Sequence, residues 1–159
     1  MSDKKTKIKT AVNIKNRKAE FDYFITQRFT AGIVLTGTEI KSIRMGKASL
    51  QDTYAYVHAG EVWVKNMYVA EYFYGSFSNH PTRRDRKLLL TRREITRIDQ
   101  QLKIAGVTLI PLRLYIDDNG RAKMEIALCR GKKMYDKRAT MREKDARREI
   151  DRVKKSHNL

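Results

Sequence analysis

The chain has 159 residues, with 35 Lys and Arg against 18 Asp and Glu, a net charge of +17 and a pI of about 10.1. That length suits one domain with a sizeable core, and that charge makes a polyanion the default partner. No apolar run approaches the roughly 18 residues of a spanning helix, and the lysine-rich stretch Met1 to Lys9 has no apolar segment behind it, which argues against a membrane protein and against a secretory signal.

The cationic excess comes in blocks. Residues 1–20 carry a net +5, 21–82 are neutral, 83–103 carry +5, 104–129 are neutral and 130–159 carry +7. A chain that was basic only for solubility would not need that partition, so a directed binding role is favoured.

In chain order, Phe21 to Ile25 and Gly32 to Leu35 read as short strands. Thr38 to Met45 reads as a helix with Thr38 as N-cap, Ile40 and Ile43 three apart, and Gly46 as its stop. Thr53 to Val57, a turn at His58-Ala59-Gly60-Glu61, and Val62 to Val64 running on toward Val69 read as a hairpin. Leu88 to Ala105 carries a helical apolar stripe ended by Gly106. Val107 to Ile116 and Lys123 to Leu128 flank the turn Asp117-Asp118-Asn119-Gly120 as a second hairpin, and Pro111 predicts an edge position or a bulge in its first arm. The fold class predicted is mainly β, an OB-like barrel with flanking α-helices, of a type that commonly binds nucleic acid.

The last block differs. From Lys132 to Lys155 there is no Gly or Pro, and Glu143 with Arg147 and Asp151 with Lys155 are favourable i,i+4 pairs. Its apolar stripe (Tyr135, Ala139, Ala146, Ile150, Val153) is too thin to hold a helix alone in water. The expectation is a basic C-terminal tail, disordered or helical, that orders on binding RNA. The division expected is 1–15 as a basic extension, 16–131 as the RNA-binding domain and 132–159 as the tail.

No catalytic constellation is visible. His58, His80 and His157 lie far apart in sequence, no phosphate-cradling Gly-rich loop occurs, and the carboxylates mostly sit beside basic residues. The lone Cys129 excludes an intramolecular disulfide, fits a reducing compartment and reads as a small core residue on a strand. Cytoplasm is the expected address, and neither metal nor cofactor is expected.

Several segments, in order and together, resemble the SsrA-binding protein (SmpB) family. They are Asn16-Arg17-Lys18-Ala19, Asp22-Tyr23-Phe24-Ile25, Ala31 through Ser42, and Arg44 followed by Gly46-Lys47-Ala48. Then come Asn79-His80, Arg86-Lys87-Leu88-Leu89-Leu90 with Arg93-Glu94, Gly120-Arg121-Ala122-Lys123, and Arg130-Gly131-Lys132-Lys133 with Tyr135-Asp136-Lys137-Arg138. Any one piece is weak, but the ordered set covers nearly the whole chain from Asn16 to Val153.

The resemblance implies an OB-like barrel that binds the tRNA-like domain of transfer-messenger RNA (tmRNA, or SsrA RNA) and the ribosome. It implies a non-enzymatic, monomeric protein of trans-translation, with elongation factor Tu reached through the aminoacylated tmRNA. It implies that the tail enters the decoding centre of 16S rRNA and the empty mRNA channel of a stalled ribosome, so that the incomplete chain is tagged for degradation. Asn16, Arg17, Lys18, Glu39, Lys41, Ser42, Arg44, Lys47, Leu89 and Lys123 fall on its tmRNA-binding surface. Gly131, Lys132, Lys133, Tyr135, Asp136, Lys137 and Arg138 match its ribosome-facing motif.

Simpler readings stand beside these. Glu39 can be a carboxylate in a first helical turn, Asn16 a turn or cap residue, Leu89 ordinary helix core and the tail a solvated helix face. Three departures from the family pattern are visible: Thr30 where many members carry Glu, Glu71 where Pro often precedes Tyr72, and Pro81-Thr82 in place of Asp-Pro. Without the resemblance the reading stops at a basic OB-like RNA-binding module, such as a ribosomal or initiation-factor-like protein. A small nuclease is the alternative from another class.

Overall fold

The computed structural model describes residues 12–75, 79–132 and 134–157. Asn13–Lys15 forms β1 and Ala19–Asp22 a single helical turn, α1. Tyr23–Ile33 is one long strand, β2, which joins the two short runs predicted there. Helix α2 spans Gly37–Arg44, followed by the two-residue strand β3 at Ala48–Ser49. Strands β4 (Tyr54–His58) and β5 (Glu61–Lys65) make the predicted hairpin, turning through Ala59 at φ 51° and Gly60 at φ 74°. Two positive φ values at the corners are the mirror-image turn that matches strand twist.

Next come β6 (Tyr68–Val69), β7 (Arg86–Leu89), α3 (Arg92–Leu102), β8 (Val107–Ile116), β9 (Ala122–Gly131) and α4 (Met134–His157). Antiparallel pairing runs β8-β4-β5-β7-β2-β9 and then back from β9 to β8, which closes a barrel. Six strands close it, one more than the five of an OB-fold. Strand β1 adds to β8 beside β4, and β3 pairs with β6 apart from the barrel. Residues 13–15, read from sequence as extension, thus belong to the folded body.

Two helix starts were misread. The N-cap of α2 is Thr36, whose hydroxyl accepts from the Glu39 N–H while the Glu39 carboxylate accepts from the Thr36 N–H, a reciprocal capping box. Thr38 instead bonds His80. Helix α3 begins only after Thr91, which makes the same box with Glu94. Leu88 and Leu89, read from sequence as the start of that helix, lie in β7. An apolar run of three leucines fits either period, and the capping signal four residues on is what decides.

The core follows from alternation. Ala122, Met124, Ile126 and Leu128 of β9 and Phe29, Ala31 and Ile33 of β2 are buried within the barrel. Ile43 of α2 and Ile95 and Ile98 of α3 add to the same cluster. On the other side of the wall, Ile110, Leu112, Ala127 and Cys129 form a second cluster with Ala19 of α1. Cys129 is fully buried on its strand, as read, and burial pushes its thiol pKa up to about 11. The bulge predicted at Pro111 is present: the β8–β9 register shifts between Pro111 and Arg113.

Candidate nucleic-acid interface

Strand register brings distant residues into one row. Gly32 of β2 is opposite Lys123 of β9 on one side and Leu89 of β7 on the other. Lys123 lies between the buried Ala122 and Met124 and Leu89 follows the buried Leu88, so both side chains are on the outer face, where Leu89 is 53 % exposed. A Cβ on Gly32 would stand 3.3 Å from the Leu89 Cβ, so glycine is what lets Leu89 lie across the strand between them. A protruding leucine beside a lysine is a shape for an aliphatic contact on ribose or base with a phosphate held alongside.

Two positions along the ladder, Thr30 is opposite Glu125, whose carboxylate is bonded by Arg28 at 2.9 Å and Arg113 at 2.8 Å. The Arg28 bond above all, with Arg113, holds the Glu125 carboxyl below the usual range against a smaller opposing effect of burial. At Thr30 this chain therefore has a neutral hydroxyl next to a carboxylate already engaged by two guanidinia.

Helix α2 divides the residues that the sequence grouped together. Lys41, Arg44 and the following Lys47 are exposed, and Arg44 donates to the Gly120 carbonyl at 3.2 Å. Glu39 and Ser42 are fully buried. The Ser42 hydroxyl is buried with no hydrogen-bond partner among the described residues.

Glu39 accepts from Thr36, from Arg84 Nη2 at 2.5 Å and from Arg86 Nε. Burial pushes its carboxyl up, but the Thr36 N–H and the two guanidinia outweigh that and leave it below the ordinary carboxylate range. Arg86 is itself fully buried and donates further to the carbonyls of Met67, Arg84, Pro81 and Thr82. The sequence missed Arg84 and Arg86; a glutamate in an otherwise apolar helix face was the signal that a cation must be folded against it.

Asn16 sits at the β8 bulge, its N–H on the Leu112 carbonyl at 2.8 Å and its Nδ2 on the Pro111 carbonyl at 3.0 Å. This satisfies the carbonyls that the bulge frees. It leaves Arg17 and Lys18 exposed on the lip of a cleft of about 520 Å³ that Lys15, Tyr23, Gln51 and Tyr54 also line. Tyr54, 42 % exposed, is a ring among cations that sequence reading treated only as a strand residue.

The ribosome-facing set is described in part. Gly131 closes β9 opposite Tyr23, and Lys132 continues the contact, its N–H on the Asp22 carbonyl at 2.9 Å and its Nζ on the Glu20 carbonyl at 3.0 Å. The chain is therefore tied to the barrel through Lys132. Lys133 and the side chains of Tyr135, Asp136, Lys137 and Arg138 lie outside the described residues. From Met141 to Lys155 every side chain of α4 is exposed.

Among the described residues no three His, Cys, Asp or Glu stand where they could hold a metal, and no helix is long and apolar enough to cross a membrane. His80 is a framework group, buried with Nε2 on the Val69 carbonyl at 3.0 Å and Nδ1 on the Thr38 hydroxyl at 2.9 Å. A small closed barrel with an outward cationic face defines a protein of the nucleic-acid-binding barrel class.

The chain belongs to the SmpB protein family, whose model matches residues 13–156. It is 58 % identical over 149 residues to the SsrA-binding protein of Parabacteroides distasonis, covering 94 % of this chain and 97 % of that one. It is 53 % identical over 142 residues to the SsrA-binding protein of Clavibacter michiganensis subsp. michiganensis, covering 89 % of each. A solved structure described as "tmRNA-SmpB: a journey to the center of the bacterial ribosome" contains a chain that superposes with a TM-score of 0.67 at 42 % identity, covering 78 % of this chain and 87 % of that one. This is an SsrA-binding-type RNA-binding protein, mainly β with flanking helices.

Proposed function

We propose that the barrel grips the tRNA-like domain of tmRNA, delivers it to stalled ribosomes, and that the tail enters the decoding centre and empty mRNA channel, so that the incomplete chain is tagged for degradation. The observation that carries the reading is the row Lys123–Gly32–Leu89, with Lys41 and Arg44 on α2, Lys47 just after that helix, and the cationic helix α4 leaving from the other end of β9. Lys123 and Gly131 are eight positions apart, about 26 Å along the strand. One RNA element held at the first point leaves the second free to reach another. Family membership supports the partners: tmRNA, the ribosome, and elongation factor Tu through the aminoacylated tmRNA, engaged by one copy of the protein.

In the proposed roles Lys41, Arg44, Lys47 and Lys123 neutralise phosphates, Leu89 packs on an apolar edge, and Arg17 and Lys18 bind across the cleft. Glu39 and Ser42 act from inside, Glu39 by holding α2 and Arg84 in place, and Asn16 acts through the bulge it fastens. In the tail, Lys132, Lys133, Lys137 and Arg138 hold rRNA phosphates and Tyr135 stacks on a base, with Gly131 and Asp136 shaping the exit.

Filter binding tests the reading. The tRNA-like domain is expected to bind far more tightly than a random duplex of equal length, with log K falling steeply and linearly in log salt. Equal affinity for the two RNAs rejects it. A second measurement addresses the tail: amides 138–155 of the free protein are expected to exchange within the dead time of a hydrogen-exchange experiment and to gain protection on the ribosome. Slow exchange in the free protein rejects coupled ordering.

A further inference from the structure

Residues Tyr72 to Gly75 form a tight turn closed by the Gly75 N–H on the Tyr72 carbonyl at 2.9 Å. Turn corners favour Pro, Gly, Asn, Asp and Ser, for reasons of backbone geometry and local hydrogen bonding. Here the corners are Phe73, 83 % exposed, and Tyr74, 76 % exposed. Neither ring is in the core, and turn propensity accounts for neither. Their centroids are 5.1 Å apart at 89°, and Tyr72 meets Tyr74 edge-on at 5.6 Å, so the three rings form one cluster.

The turn is fastened on both sides. The Asn79 carboxamide clamps Tyr72, accepting from its N–H at 2.9 Å and donating to its carbonyl at 3.0 Å, and donates as well to the Gly75 carbonyl. His80, next in the chain, ties the segment to Thr38 of α2. Gly75 lies so close to that helix that a Cβ there would stand 2.9 Å from the Thr38 Cγ2. The rings are therefore held at a set place beside α2, and Lys41 Nζ stands 5.3 Å from the Tyr72 ring centre.

Exposed rings on a fastened turn, with a cation at their flank and a strongly basic chain around them, have the make-up of a base-stacking platform. We infer that Phe73 and Tyr74 stack on unpaired bases of the RNA that the barrel holds, extending the surface of Lys41 past the end of α2. The inference rests on the proposed RNA-binding function. Exposed Glu71 beside the rings disfavours a phosphate at that point, so the platform reads base faces and leaves the backbone to Lys41.

The test compares F73A/Y74A, Y74F and G75A with wild type on the tRNA-like domain and on a random duplex. F73A/Y74A is expected to lose about tenfold or more in affinity for the tRNA-like domain, with the salt slope and the melting temperature unchanged and duplex binding unaffected. Y74F, which keeps the ring, is expected to bind as wild type, and G75A, which displaces the turn, to lose part of the affinity. A double variant within twofold of wild type overturns the inference. So does an equal loss on the duplex, or a loss confined to ribosome association, which would assign the rings to another partner. Lack of RNA preference in the wild-type protein sinks the broader reading instead, so the two failures are distinguishable.

Discussion

Replacing Arg86 by alanine is expected to cost about 3–5 kcal/mol of folding stability and to lower the melting temperature by on the order of 10 °C. The size follows from what is left behind. Glu39 is fully buried, and without Arg86 its Oε2 faces the interior with no donor, leaving only the partly exposed Arg84 guanidinium to offset the charge. The carbonyls of Met67, Pro81 and Thr82 lose a donor at the same time. A lysine does not rescue the site, because a single ammonium lacks the planar fork that serves Glu39 and several carbonyls at once. Replacing both members of the pair by apolar residues, often harmless for a buried ion pair, fails here for the same reason. A melting temperature within 2–3 °C of wild type for Arg86→Ala would remove this network from any part in holding the fold.

The same network sets the response to acid. Glu39 has a carboxyl held below its unfolded value, so its contribution is fully present above about pH 4.3 and is lost as pH falls through the folded value. Glu125, lowered chiefly by Arg28, adds in the same direction, though Arg28 is half exposed and the pair is weakened by solvent. Because α2 carries Lys41 and Arg44 outward on the helix that Glu39 caps, loss of the buried pair would move cations without touching them.

The sequence carried the strands well where chemistry was local. The β4–β5 and β8–β9 hairpins were legible because Ala59-Gly60 and Asp117 to Gly120 are turn chemistry, and the bulge was legible in Pro111. Barrel closure was not, since pairing of β9 with β2 joins residues about a hundred positions apart. The site was half legible. Lys41, Lys123 and Leu89 could be named from motif, yet only the register across Gly32 brings Leu89 and Lys123 together. Glu39 and Ser42 fell within the same motif, but burial separates them from Lys41 and Arg44, and the guanidinia that make a buried Glu39 tolerable lie 45 and 47 residues away. The aromatic turn left no periodic trace, because exposed rings at turn corners obey neither helical nor strand alternation.

Ending the chain after Lys132 is expected to leave affinity for the tRNA-like domain within about twofold of wild type while tagging of stalled nascent chains falls to background. Position 132 is the proper cut because Gly131 still pairs with Tyr23 and Lys132 still bonds Asp22 and Glu20, so the barrel keeps its strand pairing and α1 its hydrogen bonds to Lys132, losing only its contacts with α4. What is removed is a helix of 24 residues, about 36 Å long, with exposed side chains from Met141 to Lys155. Its loss takes cations from the protein, but the helix leaves β9 after Gly131, about 26 Å along the strand from Lys123 and so beyond a Debye length at physiological salt. The salt slope for the tRNA-like domain is therefore expected to change by less than one phosphate's worth. A tenfold loss of affinity for that RNA on truncation would mean that the cationic helix folds back along the same ligand, and that gripping and probing are not done by separate parts of the chain.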